Sequence, residues 1–304
     1  MTQETSGFLI VDKPRDMTSA TVIARIKKIS GINKIGHTGT LDPMATGVMI
    51  CPVNQATRLS RFFLASPKKY TAVLRLGIET DTQDATGTVL TERPIDMVSP
   101  PAVHEACRRF IGEIEQTPPA YSALKHKGVP LYKYARKGNF ITKPPRKVVI
   151  FDIRIIEMDF PDVRFEVECA AGTYVRTLCA DIGKILGCGG HLKDLRRTEC
   201  GGFGVHDATP LAEIESHPTL ETLQDRLISM PDAIDDMLPH IADSGLMEKI
   251  KYGKPITSDD LKLKTAHGSS PFIKIVDEGN QLLAVVRADE TQDRYNYCCV
   301  FYNP

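Results

Sequence analysis

Apolar and polar residues alternate through "KKYTAVLRLG" (Lys68–Gly77), the period of a half-buried strand. "GFLIVDKP" (Gly7–Pro14) and "GVMICPV" (Gly47–Val53) are continuous apolar runs short enough for buried strands. "VVIFDIRIIEMDF" and "VRFEVECA" flank a short break and read as a hairpin pair, and "HLKDLRRTECGGF" returns as a further strand. Helical spacing appears elsewhere. Thr18-Ser19 offers an N-cap for a helix through about Ile29, stopped by Gly31. Asn54 is placed to cap "QATRLSRFFLA", and "PAVHEACRRFIG" reads as a helix. "GTYVRTLCADIGKILG" is amphipathic and ends at Gly187. Strands outnumber helices and are joined mostly by turns. That predicts an α+β fold with a mixed, mostly antiparallel sheet flanked by helices, not a doubly wound one. Thr209 to about His240 reads as acidic and helical, broken by Pro210, Pro218, Pro231 and Pro239. Beyond Ile241, "PFIKIVDEGNQLLAVVRA" and "YNYCCVFY" surround the Glu278-Gly279-Asn280 turn and predict a small C-terminal all-β module.

Charge adds an asymmetry that hydropathy does not show. The chain of 304 residues has a formal net charge of zero. Residues 1–210 carry 29 Lys+Arg against 22 Asp+Glu, and residues 211–304 carry 9 against 16. Tyr121–Ile150 holds eight bases and no acid, inside a proline-broken, tyrosine-bearing segment with one short helix expected near Tyr132–Lys137. A basic zone on a neutral protein predicts a polyanionic partner at one face; a solvated lysine-rich loop is the other reading. No run of about 18 apolar residues predicts a membrane span, and "MTQETSGFLIVDKP" has no signal-peptide layout. The eight cysteines include no C-x-x-C pair. Reduced, mostly buried thiols in a cytoplasmic protein are expected.

Candidate chemistry begins with "KIGHTGTLDPMATGVMI" (Lys34–Ile50), whose one acid is Asp42. Gly36 and Gly39 free the backbone, and Pro43 biases Asp42 away from helix. The next acid is Glu79, five bases later, so Asp42 is expected to stand without acidic neighbours. An aspartate presented at a strand edge and one capping its own turn both satisfy this pattern. Tyr174 and Arg176 are two apart at the start of the amphipathic helix, so both can face one pocket. Arg176 is a fixed cation that can hold a carboxylate bidentately. Tyr70 follows Lys68-Lys69, the aromatic-next-to-basic composition that stacks bases and holds phosphates, or a half-buried strand tyrosine. His37 and Lys13 sit at loop positions, and no His/Cys/Asp cluster at ligand spacing predicts a metal.

Taken together, "VDKP", "GHTGTLDPMATGVMI", "KKYTAVLRLGIETDTQDATG", "PPAYSALKHKGVPLYKYARKG", "AGTYVRTLCADIG" and "HLKDLRR" occur in an order that resembles the TruB family of tRNA pseudouridine synthases, which modify uridine 55 in the TΨC loop. The C-terminal module, with "IKYGKPI" and "GNQLLAVVRA", looks like a PUA RNA-binding domain. The resemblance implies a catalytic domain over 1–236 and a PUA-like domain over 237–304, with 116–147 as an insertion that clamps the tRNA arm. It implies Asp42 as catalytic aspartate, Tyr70 as the active-site tyrosine that stacks on the target base and is a candidate proton acceptor, and Arg176 as the arginine paired with the aspartate. On the substrate side it implies Tyr174 as a pocket tyrosine, Leu195 as an apolar wall, His37 as the histidine that splays the RNA loop, and Lys13 as a lysine supporting the site. One departure stands out: where the family usually has a glycine after the first Lys-Pro, this chain has Arg15-Asp16.

The implied reaction breaks the N1–C1′ bond of a flipped-out uridine, rotates the uracil and rejoins it through C5. Nothing is oxidised or added, so no cofactor is expected. A carboxylate is needed near C1′ or C2′, and a base for the later proton at C5. The expected partner is the tRNA T-arm, for a monomer acting without membrane or guide RNA. A guide-RNA-dependent relative and a non-catalytic tRNA-binding or tRNA-folding protein are the rivals.

Overall fold

The computed structural model describes residues 5–217, 219–261, 271–289 and 291–301. Pro218 and Tyr302, used in the sequence reading, lie outside them.

The buried apolar runs become the centre of one sheet. Its strands are β1 (Gly7–Lys13), β2 (Thr46–Val53), β3 (Lys68–Leu76), β4 (Gly112–Gln116), β5 (Arg146–Asp159), β6 (Asp162–Cys169), β7 (Gly190–Cys200) and β8 (Thr209–Pro210). They lie in the order β8-β1-β2-β7-β3-β6-β5-β4, and a ninth short strand, Phe203–Gly204, pairs with β7. Only β1/β8 and β2/β7 run parallel, so the sheet is mixed and mostly antiparallel, as expected. Along β3 every second residue is buried, which is the alternation read from its sequence.

Helix α1 (Ser19–Ser30) begins where predicted. Thr18 Oγ1 accepts from Thr21 N at 3.0 Å, and Gly31 ends the helix at φ +67°. Helix α2 (Pro100–Arg108) has Ser99 as its cap. Helix α3 (Val175–Ile185) packs on β7 so tightly that a Cβ on Gly183 would lie 2.4 Å from the backbone of Gly189 and Gly190. Asn54 does not cap a helix: it has φ +51°, its Nδ2 donates to Thr5 O, and the segment is a 3-10 turn, Asn54–Leu59, before a short helix, Ser60–Leu64. The 209–240 stretch is also less helical than its pattern suggests. It holds two short helices, Leu211–Ser216 and Leu220–Gln224, and ends in a strand.

That strand, β9 (Leu238–Ile241), opens the C-terminal sheet with β10 (Phe272–Val276), β11 (Leu282–Ala288) and β12 (Tyr295–Val300). The predicted β module is therefore present, and it also carries a helix not read from sequence, α4 (Ser244–Lys251), which buries Leu246 and Ile250. The module shares a core with the main sheet. Val276, Leu282, Val285 and Phe301 cluster with Phe8, Ile10, Val48 and Phe63. All eight cysteines are unpaired and seven are buried. Among the described residues no helix is long and apolar enough to cross a membrane.

Candidate active site

Strand β7 pairs with β2 only at Thr46 and Gly47, which leaves the far half of β2 open. The loop that begins at Lys34 fills this edge. Gly36 N donates to Pro52 O and Thr38 N to Ile50 O, both at 3.1 Å. Leu41 is buried in the core below and bonds Ser19 of α1 through its N–H, at 2.9 Å. Lys13, at the end of β1, lies behind the loop. Fully buried, its Nζ donates to the carbonyls of Pro14, Pro43 and Ala45 at 2.8, 3.1 and 2.7 Å. Grouped on sequence with the substrate side, Lys13 instead holds the turn that follows Asp42. Burial draws its pKa down to about 8. The departure at Arg15-Asp16 also gains a physical reading. Asp16 adopts φ +61°, the left-handed conformation in which a glycine costs least and which aspartate tolerates better than most residues.

Held this way, Asp42 faces a cleft of about 970 Å³. Its side chain is 32% exposed, against 3% for Arg176. The Nε of Arg176 stands 2.8 Å from Asp42 Oδ2, and an Nη donates to Oδ1 at 3.3 Å. Arg176 also donates to Thr82 O at 2.8 Å and to Tyr121 O at 2.9 Å, so its guanidinium is anchored on backbone as well as on the carboxylate. The expected pairing is therefore formed. The expected absence of a second acid is not. Asp84 is buried and lies 3.6 Å from the opposite side of Arg176. Its Oδ1 accepts from Thr82 Oγ1, Thr86 N and Thr86 Oγ1 at 2.7, 3.0 and 2.6 Å. These bonds and the buried cation offset its charge, which is how a second acid is kept beside Asp42. Thr82-x-Asp84-x-Thr86 is a local signal that sequence inspection passed over as a turn.

Tyr70, His37, Tyr174 and Leu195 line the same cleft. Tyr70 comes from an inward position of β3 and is 8% exposed. Burial pushes its phenol up to about 12, against the opposing pull of Arg197. Burial, with Arg197 nearby, lowers His37, so its imidazole is neutral at pH 7. Gln116, almost fully buried, clamps the backbone of Tyr174: Tyr174 N donates to its Oε1 at 2.7 Å, and its Nε2 donates to Tyr174 O at 3.0 Å. Arg146 lies over the Tyr174 ring, 5.1 Å from its centroid. Tyr121, Tyr132 and Arg136, from the basic segment, form part of the cleft wall. Sequence reading grouped these residues by charge and missed Gln116 and Arg197, which sit on β4 and β7 and meet the site only through the sheet.

The sequence pattern of the TruB family pseudouridylate synthase N-terminal domain matches residues 27–175, and that of the tRNA pseudouridylate synthase B C-terminal domain matches 176–238. A tRNA pseudouridine synthase B from Syntrophotalea carbinolica is 42% identical over 84% of this chain and 83% of its own. One from Aromatoleum aromaticum is 43% identical over 91% of this chain and 87% of its own. Among solved structures, a chain of a Cbf5-Nop10-Gar1 complex superposes with a TM-score of 0.74 at 25% identity, covering 97% of this chain and 85% of that one.

Proposed function

The chain belongs to the TruB family of pseudouridylate synthases, and from that premise we propose that it converts uridine 55 in the TΨC loop of tRNA to pseudouridine. The observation that carries the reading is the Asp42 carboxylate, open to the cleft and pinned on its inner side by Arg176 at 2.8 Å. A flipped uridine would enter between Asp42 and Tyr70. Asp42 then attacks C1′ or removes the proton from C2′ as the N1–C1′ bond breaks. The uracil rotates and C5 bonds to C1′. Tyr70 stacks on the ring; because its phenol is protonated at neutral pH, any proton it takes from C5 must be matched by one it gives up. Neutral His37 enters the loop vacated by the base.

Residues 1–236 form the catalytic domain in this reading, 116–147 clamp the T-arm, and 237–304 form the PUA-like domain. The protein works as a monomer on tRNA in the cytoplasm, with no guide RNA. Tritium release from a T-arm stem-loop carrying 5-tritiated uridine tests it, with no other protein or RNA added. The wild type should release tritium from position 55 alone. Asp42→Asn should bind with Kd within about threefold and release at least about 1,000-fold more slowly. Comparable release by the mutant removes Asp42 from the mechanism, and release that requires a guide RNA assigns the chain to the guided class.

A further inference from the structure

Arg197 is the bulkiest side chain among those that are fully buried, 1% exposed. Its neighbour Arg196 turns the other way and meets Asp12 through two hydrogen bonds of 3.0 and 2.7 Å. Among the described residues Arg197 has no carboxylate within 4.0 Å. It donates to neutral oxygens instead: Nε to Val48 O at 2.7 Å and an Nη to Gly39 O at 3.2 Å. A buried cation with no anion is a poor way to fill a core, and an apolar side chain of similar length would serve packing better.

Its place in the sheet supplies another reason. On β7, Arg197 is the cross-strand partner of Tyr70 on one side and of Gly47 on the other. Gly39 lies three residues before Asp42, and Val48 is in the strand that follows the loop. One planar guanidinium thus bonds the loop that carries the aspartate and the strand that anchors that loop, and it belongs to the residue paired across the sheet with the tyrosine. Gly47 lets the β7 backbone come this close: at φ +107°, a Cβ there would stand 2.1 Å from the backbone oxygen of Arg197.

We propose that Arg197 is a positioning residue of the reaction, fixing Tyr70 relative to Asp42 by pairing with the tyrosine across the sheet and bonding the Asp42 loop. It acts through Tyr70 and does not touch substrate. The proposal rests on the reading of this cleft as the pseudouridine-forming site, and its test has an arm that does not depend on turnover.

Arg197→Met and Arg197→Lys are made in the full chain, alone and with Tyr70→Phe, and assayed on the T-arm stem-loop under single-turnover conditions. Arg197→Met should bind RNA with Kd within about threefold of wild type and react at least about 100-fold more slowly. Arg197→Lys should be intermediate, since it keeps the charge and loses the fork. The Tyr70→Phe/Arg197→Met protein should react no more slowly than Tyr70→Phe alone. In parallel, 13C NMR of proteins labelled at tyrosine Cζ identifies Tyr70 by its absence in Tyr70→Phe. Its resonance should move in both Arg197 variants while those of Tyr295 and Tyr297 stay. Multiplying losses in the double mutant, or an unmoved Tyr70 resonance, would overturn the proposal. If Arg197→Met does not fold, Arg197→Lys carries the same two readouts. A wild type inactive on this RNA would remove the reading of the cleft and leave the resonance to decide on Arg197.

Discussion

Asp42 and Arg176 illustrate how little a single residue's surroundings in sequence say about its charge environment. Asp42 is isolated from other acids along the chain, yet the fold sets Asp84 on the far side of its arginine. Arg176 therefore bridges two carboxylates. Arg176→Ala should leave the buried Asp84 unpaired and cost about 3–5 kcal/mol of stability, measured by urea unfolding, together with most of the turnover. Arg176→Lys should recover part of the stability and little of the rate, because one ammonium cannot reach Asp42, Thr82 O and Tyr121 O together. Near wild-type turnover in Arg176→Ala would sink the pairing. Lys13 makes a separate prediction in pH. Its folded pKa of about 8 lies below its ordinary value of 10.5, so between those values the unfolded chain binds more protons than the folded one. The lysine's contribution to stability must then rise with pH. Between pH 7.5 and 9.5 the wild type should gain about 1–2 kcal/mol on Lys13→Met. A gap that stays constant or moves against the wild type contradicts the assignment.

At the level of elements, much was readable. The cap at Thr18, the stop at Gly31, the alternation of β3 and the start of the Arg176 helix all depend on neighbours in sequence, and they lie where local chemistry puts them. The failures share a cause. Asn54 looks like a cap but answers to Thr5, and Leu238–Ile241 looks like the end of a helical stretch but pairs with β10. Both are decided by a partner far along the chain. The close contact of Gly183 with Gly189-Gly190 is of the same kind, and it sets the distance between α3 and β7, hence between Arg176 and the tyrosine wall. Gly183→Ala should lower stability by about 1–3 kcal/mol in denaturant unfolding and reduce turnover more than RNA binding. An alanine that leaves both unchanged would show that the helix has room the close contact denies.

On the scale of the whole molecule, the C-terminal sheet is tied to the catalytic core rather than tethered beside it. Phe62 and Phe272 meet edge to face at 5.0 Å, and Arg58 lies 5.0 Å from the Phe301 ring. Lys274, buried, donates to Pro231 O and Ile234 O at 2.8 and 3.2 Å. Calorimetry should therefore show one cooperative transition for the full chain. Phe272→Ala should lower stability by about 2–4 kcal/mol; a second, separate transition in the wild type would contradict the shared core. The sequence alone determined the central strands and the helices at Ser19, Pro100 and Val175, the basic segment and the ordered motifs that resemble the family, because each is written in local periodicity or local composition. It also brought Asp42, Tyr70 and Arg176 forward together, through the ordered motifs that resemble the family and not through their residue types alone. Only the tertiary structure decided that Asp84 shares the arginine, that Lys13 stands behind the loop, and that Arg197 lies beneath the tyrosine. Those facts depend on which strands become neighbours, and strand order is set by burial of the whole core, which no short window of sequence contains.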